Sequence, residues 1–530
     1  MTVPGAVAQP IQSLVPARMD RLPWSKFHWR VVIALGITWV LDGIEITVAG
    51  AIGERLTEEG TLHFTAGQIG LAASIYLLGE VVGALYFGRL ADKLGRRKLF
   101  IITLGVYLIG NLLTAFSFNF LFFIATRFIA GLGIGGEYAA INSAIDELIP
   151  ADYRGRVDLA INGTYWLGAM IGAAANIAFL NPDLFDVNLG WRLGLLIGPL
   201  IGIAVWGLRR HIPESPRWLL THGQSEEAER IVDGIEGDIK AGGVTLAPVD
   251  PSDALLVEQR EEPGYKTLAQ LIVREYPSRA FLGFMLMVTQ SFLYNAIFFT
   301  FALILGKFYG ISGGAVGYFI FPFAVGNLLG PLLLGKLFDT VGRRIMIGST
   351  YCSSAILLFI TGWLFKNGSL NATTQTILWC VIFFIASAAA SSAYLTVSEI
   401  FPLEVRAKAI SLFFAVSQFF GGVIAPFLFG KLIDAAGTGD VLDRDPLFWG
   451  YTIGAVLMFL GGLTAFIYGV NAERQSLESI AKPLSARHVA MASGGASRLT
   501  GGLGAGVRRD HGAGVLRAGP KGDATDGDTK

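Results

Sequence analysis

GRLADKLGRRKL, residues 88–99, and GKLFDTVGRRIM, residues 335–346, are one charged phrase written twice. A second phrase repeats with it: ELIPADYR (147–154) returns as EIFPLEVR (399–406). Gly88 to Gly335 is a step of 247 positions, and Glu147 to Glu399 a step of 252. Two separate phrases therefore report one repeat of about half the chain. Each copy closes a long apolar run, so the repeating unit reads as a membrane half rather than a soluble domain. Two similar membrane halves around a central cleft is how secondary transporters are built.

Composition agrees. Of 530 residues, 53% are hydrophobic and 15% charged, where a soluble chain carries about a quarter charged. The 67 glycines and 37 phenylalanines suit close-packed membrane helices. A formal net charge of zero gives no reason to expect nucleic acid as a partner. Cys352 and Cys380 sit inside apolar runs and read as small core hydrophobes. The first 30 residues lack the apolar segment of a cleavable signal. No clustered His/Asp set, nucleophile elbow or phosphate loop points to an enzyme, a metal or a cofactor. Gly131, Gly133, Gly135 and Gly136 fall mid-run and read as helix packing.

A spanning helix needs about 20 mostly apolar residues. Twelve such runs are present, near 31–53, 69–90, 99–118, 120–145, 157–180, 191–209, 279–306, 313–337, 345–365, 374–398, 408–432 and 448–470. The expectation is an all-α integral membrane protein of twelve spans in two pseudo-symmetric six-helix halves, 31–209 and 278–470. Basic residues cluster after even-numbered spans: Arg89, Lys93, Arg96, Arg97 and Lys98, then Arg154 and Arg156, then Arg343 and Arg344, then Arg406 and Lys408. Loops after odd-numbered spans hold only isolated ones, such as Arg55, Lys307, Lys366 and Arg444. Positive loops stay inside, which places the 1–30 segment, the 210–277 loop and the C-terminal tail in the cytoplasm of a cell-membrane protein. The 210–277 loop is charged and of mixed polarity, and short amphipathic helices are expected in it. Residues 471–530 are Gly-rich with almost no aromatics and read as a disordered tail. One chain holds a complete cleft, so a monomer in the lipid bilayer suffices.

With these phrases in view, the chain resembles the major facilitator superfamily. GRLADKLGRRK (88–98) matches that superfamily's loop signature. RFIAGLGIGGEYAAINSAIDELIPADYRGR (127–156) is similar to the fourth-helix segment of sugar porters and of related metabolite–proton symporters. PESPRWLLTHG (213–223) matches the sugar-porter signature after span six, and EIFPLEVR follows span ten. The resemblance covers residues 25–470 or so and implies a major facilitator fold and transport activity. It leaves the substrate open.

Ionisable groups in mid-membrane are costly and are functional candidates. Here they are Asp42, Glu45, Glu80, Arg127 and Glu137. By the resemblance, Glu45 stands at the acid of a GxD pattern (here GIE) and Arg127 at the arginine of RxxxGxGxG. In proton symporters of that family these form a pair that makes or breaks with protonation. A fixed ion pair that only locks helices is the alternative. Asp42 and Glu45 give DGIE, similar to the DGxD of aromatic-acid–proton symporters. Asp42 could instead face water at the mouth of span one. Glu137, in GGEY, resembles the metabolite symporters and could equally be structural. Glu80 reads as a structural hydrogen bond near a bundle face.

The resemblance also implies a cytoplasmic charge network that holds the outward-open state and breaks on opening inward. It takes Asp92, Arg96, Arg97, Glu147 and Arg154, repeated as Asp339, Arg343, Arg344, Glu399 and Arg406. Control of topology alone is the plainer reading. For the central cavity the candidates are Asn162, Tyr165, Trp166, Gln290, Tyr294, Asn295, Asn327, Ser391, Ser392, Tyr394 and Gln418. Helix packing is at least as good a reading for each alone. The chain departs from sugar porters here. TQSFLYN keeps Gln290 and Asn295 of their QQxxGxN, Asn162 and Ala169 stand where they present glutamines, and ASSAY ends at Tyr394. An ordinary hexose loses ground; an organic acid or other polar metabolite gains. The expected function is a proton-coupled symporter of a small polar metabolite, sugar-like or organic acid. A uniporter, an exporter, or a solute sensor signalling through the tail remain the alternatives.

Overall fold

The computed structural model describes residues 11–209, 213–251, 254–257, 264–401, 406–438 and 441–470. The expected 471–530 tail lies outside the described residues, as do the side chains of Asp92, Arg154, Asp339, Ser392, Tyr394, Glu399 and Arg406.

In lipid every backbone group must be satisfied within its own segment, so long apolar runs become helices. The first half holds α2 (Lys26–Arg55), α3 (Ala66–Leu94), α4 (Arg96–Ala115), α5 (Phe120–Leu148), α6 (Ala151–Phe179) and α7 (Val187–Arg209). The second holds α11 (Pro277–Tyr309), α12 (Val316–Thr340), α13 (Arg343–Lys366), α14 (Ala372–Ile400), then α15 (Arg406–Ser417) and α16 (Ile424–Ala435), and last α17 (Asp445–Tyr468). Among the described residues, eleven helices are long and apolar enough to cross a membrane by length and composition. Of the twelve expected runs, 157–180 is not among these eleven. It forms α6, as long as its neighbours, but Asn162, Tyr165, Trp166 and Asn176 make it more polar. The run near 408–432 is also modified. A π-helical turn, Gln418–Val423, joins α15 to α16.

The two halves repeat their internal pairings. α3 packs on α5 as α12 packs on α14, and α4 packs on α7 as α13 packs on α17. Small residues allow the close approach. A Cβ on Gly131 or Gly135 of α5 would stand 2.0 Å from the carbonyl oxygens of Tyr76 and Glu80 on α3. The duplicated GRR phrase also repeats its backbone. Gly95 (φ 86°) and Gly342 (φ 107°) turn the chain into α4 and α13, a conformation that favours glycine.

At the end of the bundle carrying the basic loops, the chain adds a folded collar. It comprises β1 (Ile11–Ser13), α1 (Val15–Asp20), α8 (Pro216–Thr221), α9 (Ser225–Ala241), β2 (Leu255–Val257) and α10 (Tyr265–Glu275). β1 pairs antiparallel with β2, Ile11 opposite Val257. Ala228, Val232, Ile235 and Ile239 of α9 fall on one face and are buried. Val15, Met19 and Leu22 pack with them and with Leu99, Phe100 and Ile145 of the first half. Charge holds the same contact. Arg18 Nε donates to Glu236 at 2.9 Å, Arg21 to the same oxygen at 2.6 Å, and Arg217 pairs with Asp20 at 2.8 Å. The expected plain 1–30 segment is therefore structured from residue 11 onward.

Burial alone would raise the Glu236 carboxyl. The hydrogen bonds from Arg18 and Arg21 outweigh it and bring the group from its ordinary 4.5 down to about 2. A carboxylate held low contributes stability above its ordinary value, and that contribution fades as pH falls towards about 2. At neutral pH it is fully present. Glu236→Gln is expected to cost the collar about 1–3 kcal/mol. Trypsin cleavage after Arg18 and Arg21 then speeds by about fivefold or more at neutral pH, with the membrane bundle intact. Unchanged cleavage would mean the strand and the apolar contacts alone hold the segment.

Candidate functional site

Asp42 and Glu45 are three apart on α2 and so share a side of that helix. Glu45 meets Arg127 of α5 in an ion pair; they are 1% and 2% exposed. Arg127 Nη1 also donates to Asn111 Oδ1 of α4 at 3.3 Å. Its guanidinium lies 4.2 Å from the ring centroid of Tyr76 on α3, a cation–π distance. Four helices thus converge on one buried charge pair. The structure brings together the acid and the arginine that the resemblance matched.

Asp42 is 3% exposed, so it does not face water at a mouth. The Tyr138 hydroxyl donates to its Oδ2 at 2.7 Å, and Oδ1 has no hydrogen-bond partner. Asp42 and Trp39 of α2 and Glu137 and Tyr138 of α5 line a narrow cleft. Trp39 and Tyr138 meet edge to face with ring centroids 4.6 Å apart.

Glu80 reads in the sequence as a structural hydrogen bond near a bundle face. It does make a hydrogen bond, but across the two halves: Gln418 Nε2 donates to Glu80 Oε2 at 2.8 Å. The Gln418 side-chain oxygen accepts from Ser291 Oγ, and from Asn295 Nδ2 at 3.3 Å. A polar chain therefore runs from α3 through the π-helical turn to α11. The signal in the sequence was a lone acid in the middle of an apolar run.

The other cavity candidates divide. Trp166 faces Tyr294 across the halves, with centroids 6.0 Å apart, and Tyr165 lies against Trp166 at 5.0 Å. Asn162 is half-buried on the same helix, and Gln290 Oε1 is buried without a hydrogen-bond partner. Asn327 accepts from the Tyr294 hydroxyl at 3.0 Å and donates to the Phe323 carbonyl. Ser391 donates to the Ser387 carbonyl one turn back. Asn327 and Ser391 thus make contacts within the second half, as the plainer reading had it.

The expected charge network is present in part. Arg96 Nη2 pairs with Glu147 at 2.7 Å. The backbone N–H groups of Arg96 and Arg97 donate to Glu214 at 2.7 and 3.3 Å. A carboxylate on the first turn of α4 satisfies orphan donors and complements the helix dipole. Glu214 lies in PESPR and had been given no role. Arg344 donates to the Phe466 carbonyl at 2.8 Å, so it caps α17 within the second half rather than reaching across. Arg343 begins α13.

At the end remote from the basic loops the halves touch backbone to backbone. Gly50 of α2 lies against the Phe298 carbonyl of α11, and Gly70 of α3 against Pro426 and Gly430 of α16. The Phe427 amide donates to Ser74 Oγ at 3.1 Å. Deeper in, Tyr138 stacks on Phe414 at 4.7 Å. The polar and aromatic groups are thereby enclosed between two halves that meet tightly at the remote end.

The chain is similar to transporters along most of its length. It is 26% identical over 413 residues to the niacin transporter NiaP of Acinetobacter baylyi, covering 78% of this chain and 89% of that protein. It is 25% identical to the D-xylose transporter of Levilactobacillus brevis, covering 77% and 85%. A crystal structure of a D-xylose–proton symporter superposes with a TM-score of 0.65 at 20% identity, over 85% of this chain and 100% of that one. That likeness shows the all-α major facilitator fold. The sugar (and other) transporter family profile matches residues 43–483. The two charged phrases, the long apolar helices and this match agree: the chain is a multi-pass membrane transporter, not an enzyme, and belongs to the sugar (and other) transporter family.

Proposed function

We propose that this transporter moves a small polar metabolite by alternating access and couples it to protons, as a monomer in the cell membrane. The basic loops, both termini and the collar face the cytoplasm in this reading. The observation that carries it is the buried Glu45–Arg127 pair. Protonated Glu45 releases Arg127, whose remaining partners are Asn111 and Tyr76 on other helices. Proton binding is thereby linked to helix movement. Arg96, Arg97, Glu147 and Glu214 supply an element at the cytoplasmic end that the cycle makes and breaks.

A second reading has its own support. Arg127 is held by three partners at once, which suits a permanent lock and a uniporter. Purified protein in liposomes separates them. An imposed inward proton gradient should drive substrate above equilibrium, and a protonophore should abolish it. Uptake that only equilibrates, with or without the gradient, supports the uniporter.

A further inference from the structure

The middles of the spans carry a lopsided charge. Asp42, Glu45, Glu80 and Glu137 are acids; Arg127 is the one base. In the second half, stretches 283–303, 318–335, 347–364, 376–397, 410–430 and 447–468 hold no Asp, Glu, Lys or Arg. Arg127 is already engaged by Glu45. An anionic substrate between the halves would therefore meet several acids and, while the Glu45 pair is made, no free cation, and a buried unpaired charge is expensive.

The cleft at Asp42 has the opposite preference. Asp42 is buried, accepts one hydrogen bond from Tyr138, and keeps Oδ1 without a partner. No cation lies within ion-pair distance of Asp42 or Glu80 among the described residues. Beside Asp42 stand the rings of Trp39 and Tyr138, with Tyr165 6.5 Å beyond Trp39. Glu80 is 1% exposed and lies near enough to feel the charge of Asp42. Tyr138 stacks on Phe414 of the second half, so the cleft borders the surface along which the halves part. A carboxylate oxygen without a partner beside aromatic rings is an arrangement that attracts a positively charged nitrogen. The cleft is closed down in this arrangement, so the charged head enters it only as the halves part, with the remainder lying between them.

We propose that the Asp42 cleft is the recognition subsite for a cationic nitrogen, a protonated amine or quaternary ammonium, on the transported metabolite. Trp39 and Tyr138 supply the aromatic walls and Glu80 a second acid. This deepens the transporter reading above and rests on it.

The test uses the full chain in nanodiscs and follows thermal stabilisation, which reports binding to the folded state. The probes are choline, ethanolamine, 3,3-dimethylbutanol (the uncharged shape of choline), benzoate and xylose. Choline should bind about tenfold or more tighter than its neutral counterpart. Asp42→Asn should weaken choline about tenfold or more, and Tyr138→Leu should weaken it about tenfold. Tyr138→Phe keeps the ring face and should retain binding, which guards against a variant that merely misfolds. Equal binding of choline and 3,3-dimethylbutanol overturns the proposal. So does binding unaffected by Asp42→Asn, or no stabilisation by either ammonium. Stabilisation by xylose or benzoate alone overturns the cation subsite and leaves the transporter reading standing. Asp42-dependent choline binding without gradient-driven uptake keeps the subsite and removes the proton coupling.

Discussion

Glu45→Gln liposomes equilibrate their substrate and no longer concentrate it. Counterflow, which needs the conformational cycle but no driving force, persists. The expected size follows from the energetics. A pH gradient of about two units, imposed without a membrane potential, is worth about 2.7 kcal/mol per proton, or roughly a hundredfold in accumulation. A glutamine carries no titrating proton, so the ratio falls to about one. The amide still offers an oxygen to Arg127, so the four-helix junction at Asn111 and Tyr76 keeps its shape. A lock makes a different prediction. Removing one partner of a buried pair costs about 3–5 kcal/mol, so under that reading Glu45→Gln melts early and loses counterflow with accumulation. The double change Glu45→Gln with Arg127→Gln sharpens the contrast. It leaves no orphaned charge, so much of the stability returns. Accumulation stays absent if the pair couples protons and returns with stability if it only locks. Normal accumulation in Glu45→Gln removes that residue from the mechanism.

Much of this molecule was legible because its constraints are local. The GRR phrase carries both its charge and its glycine, and Gly95 and Gly342 show why the phrase needs one. Backbone satisfaction in lipid makes apolar length sufficient for a helix. Of the expected runs, only that of α6, diluted by its polar residues, falls outside that criterion. Azimuth was not legible. These helices are apolar on most sides, so no 3.6-residue pattern tells which polar residue faces the cleft. Ser391 and Asn327 turned to carbonyls of their own half, while Gln418 turned outward to Glu80. Long-range partners were hidden for the same reason. Nothing near Glu214 announces that it caps α4, and nothing near Ile11 announces a strand completed by Val257.

Gly70→Leu is expected to stop transport without stopping substrate binding. At Gly70 a Cβ would stand 2.3 Å from the Pro426 carbonyl oxygen and 3.1 Å from the Gly430 Cα. Both are backbone atoms, so no rotamer change relieves the clash, and the helices must part. The two glycines face each other from opposite halves, at the end remote from the basic loops. The arrangement seen here, closed at that end, therefore becomes inaccessible, while a state open there has no such contact to lose. Extra methylenes in a packed interior cost about 1–3 kcal/mol, and a backbone collision lies at or beyond the upper figure. That shifts the two-state balance by roughly tenfold to a hundredfold. Uptake and counterflow should both fall by about tenfold or more, because each requires closure at this end. The ion pair of Glu45 with Arg127 is untouched, so the effect is on cycling and not on coupling. Gly105→Leu is the control: a Cβ there meets nothing within 4 Å, so its transport should match the parent chain. Counterflow at the parent rate in Gly70→Leu would show that the halves do not need this contact to complete the cycle.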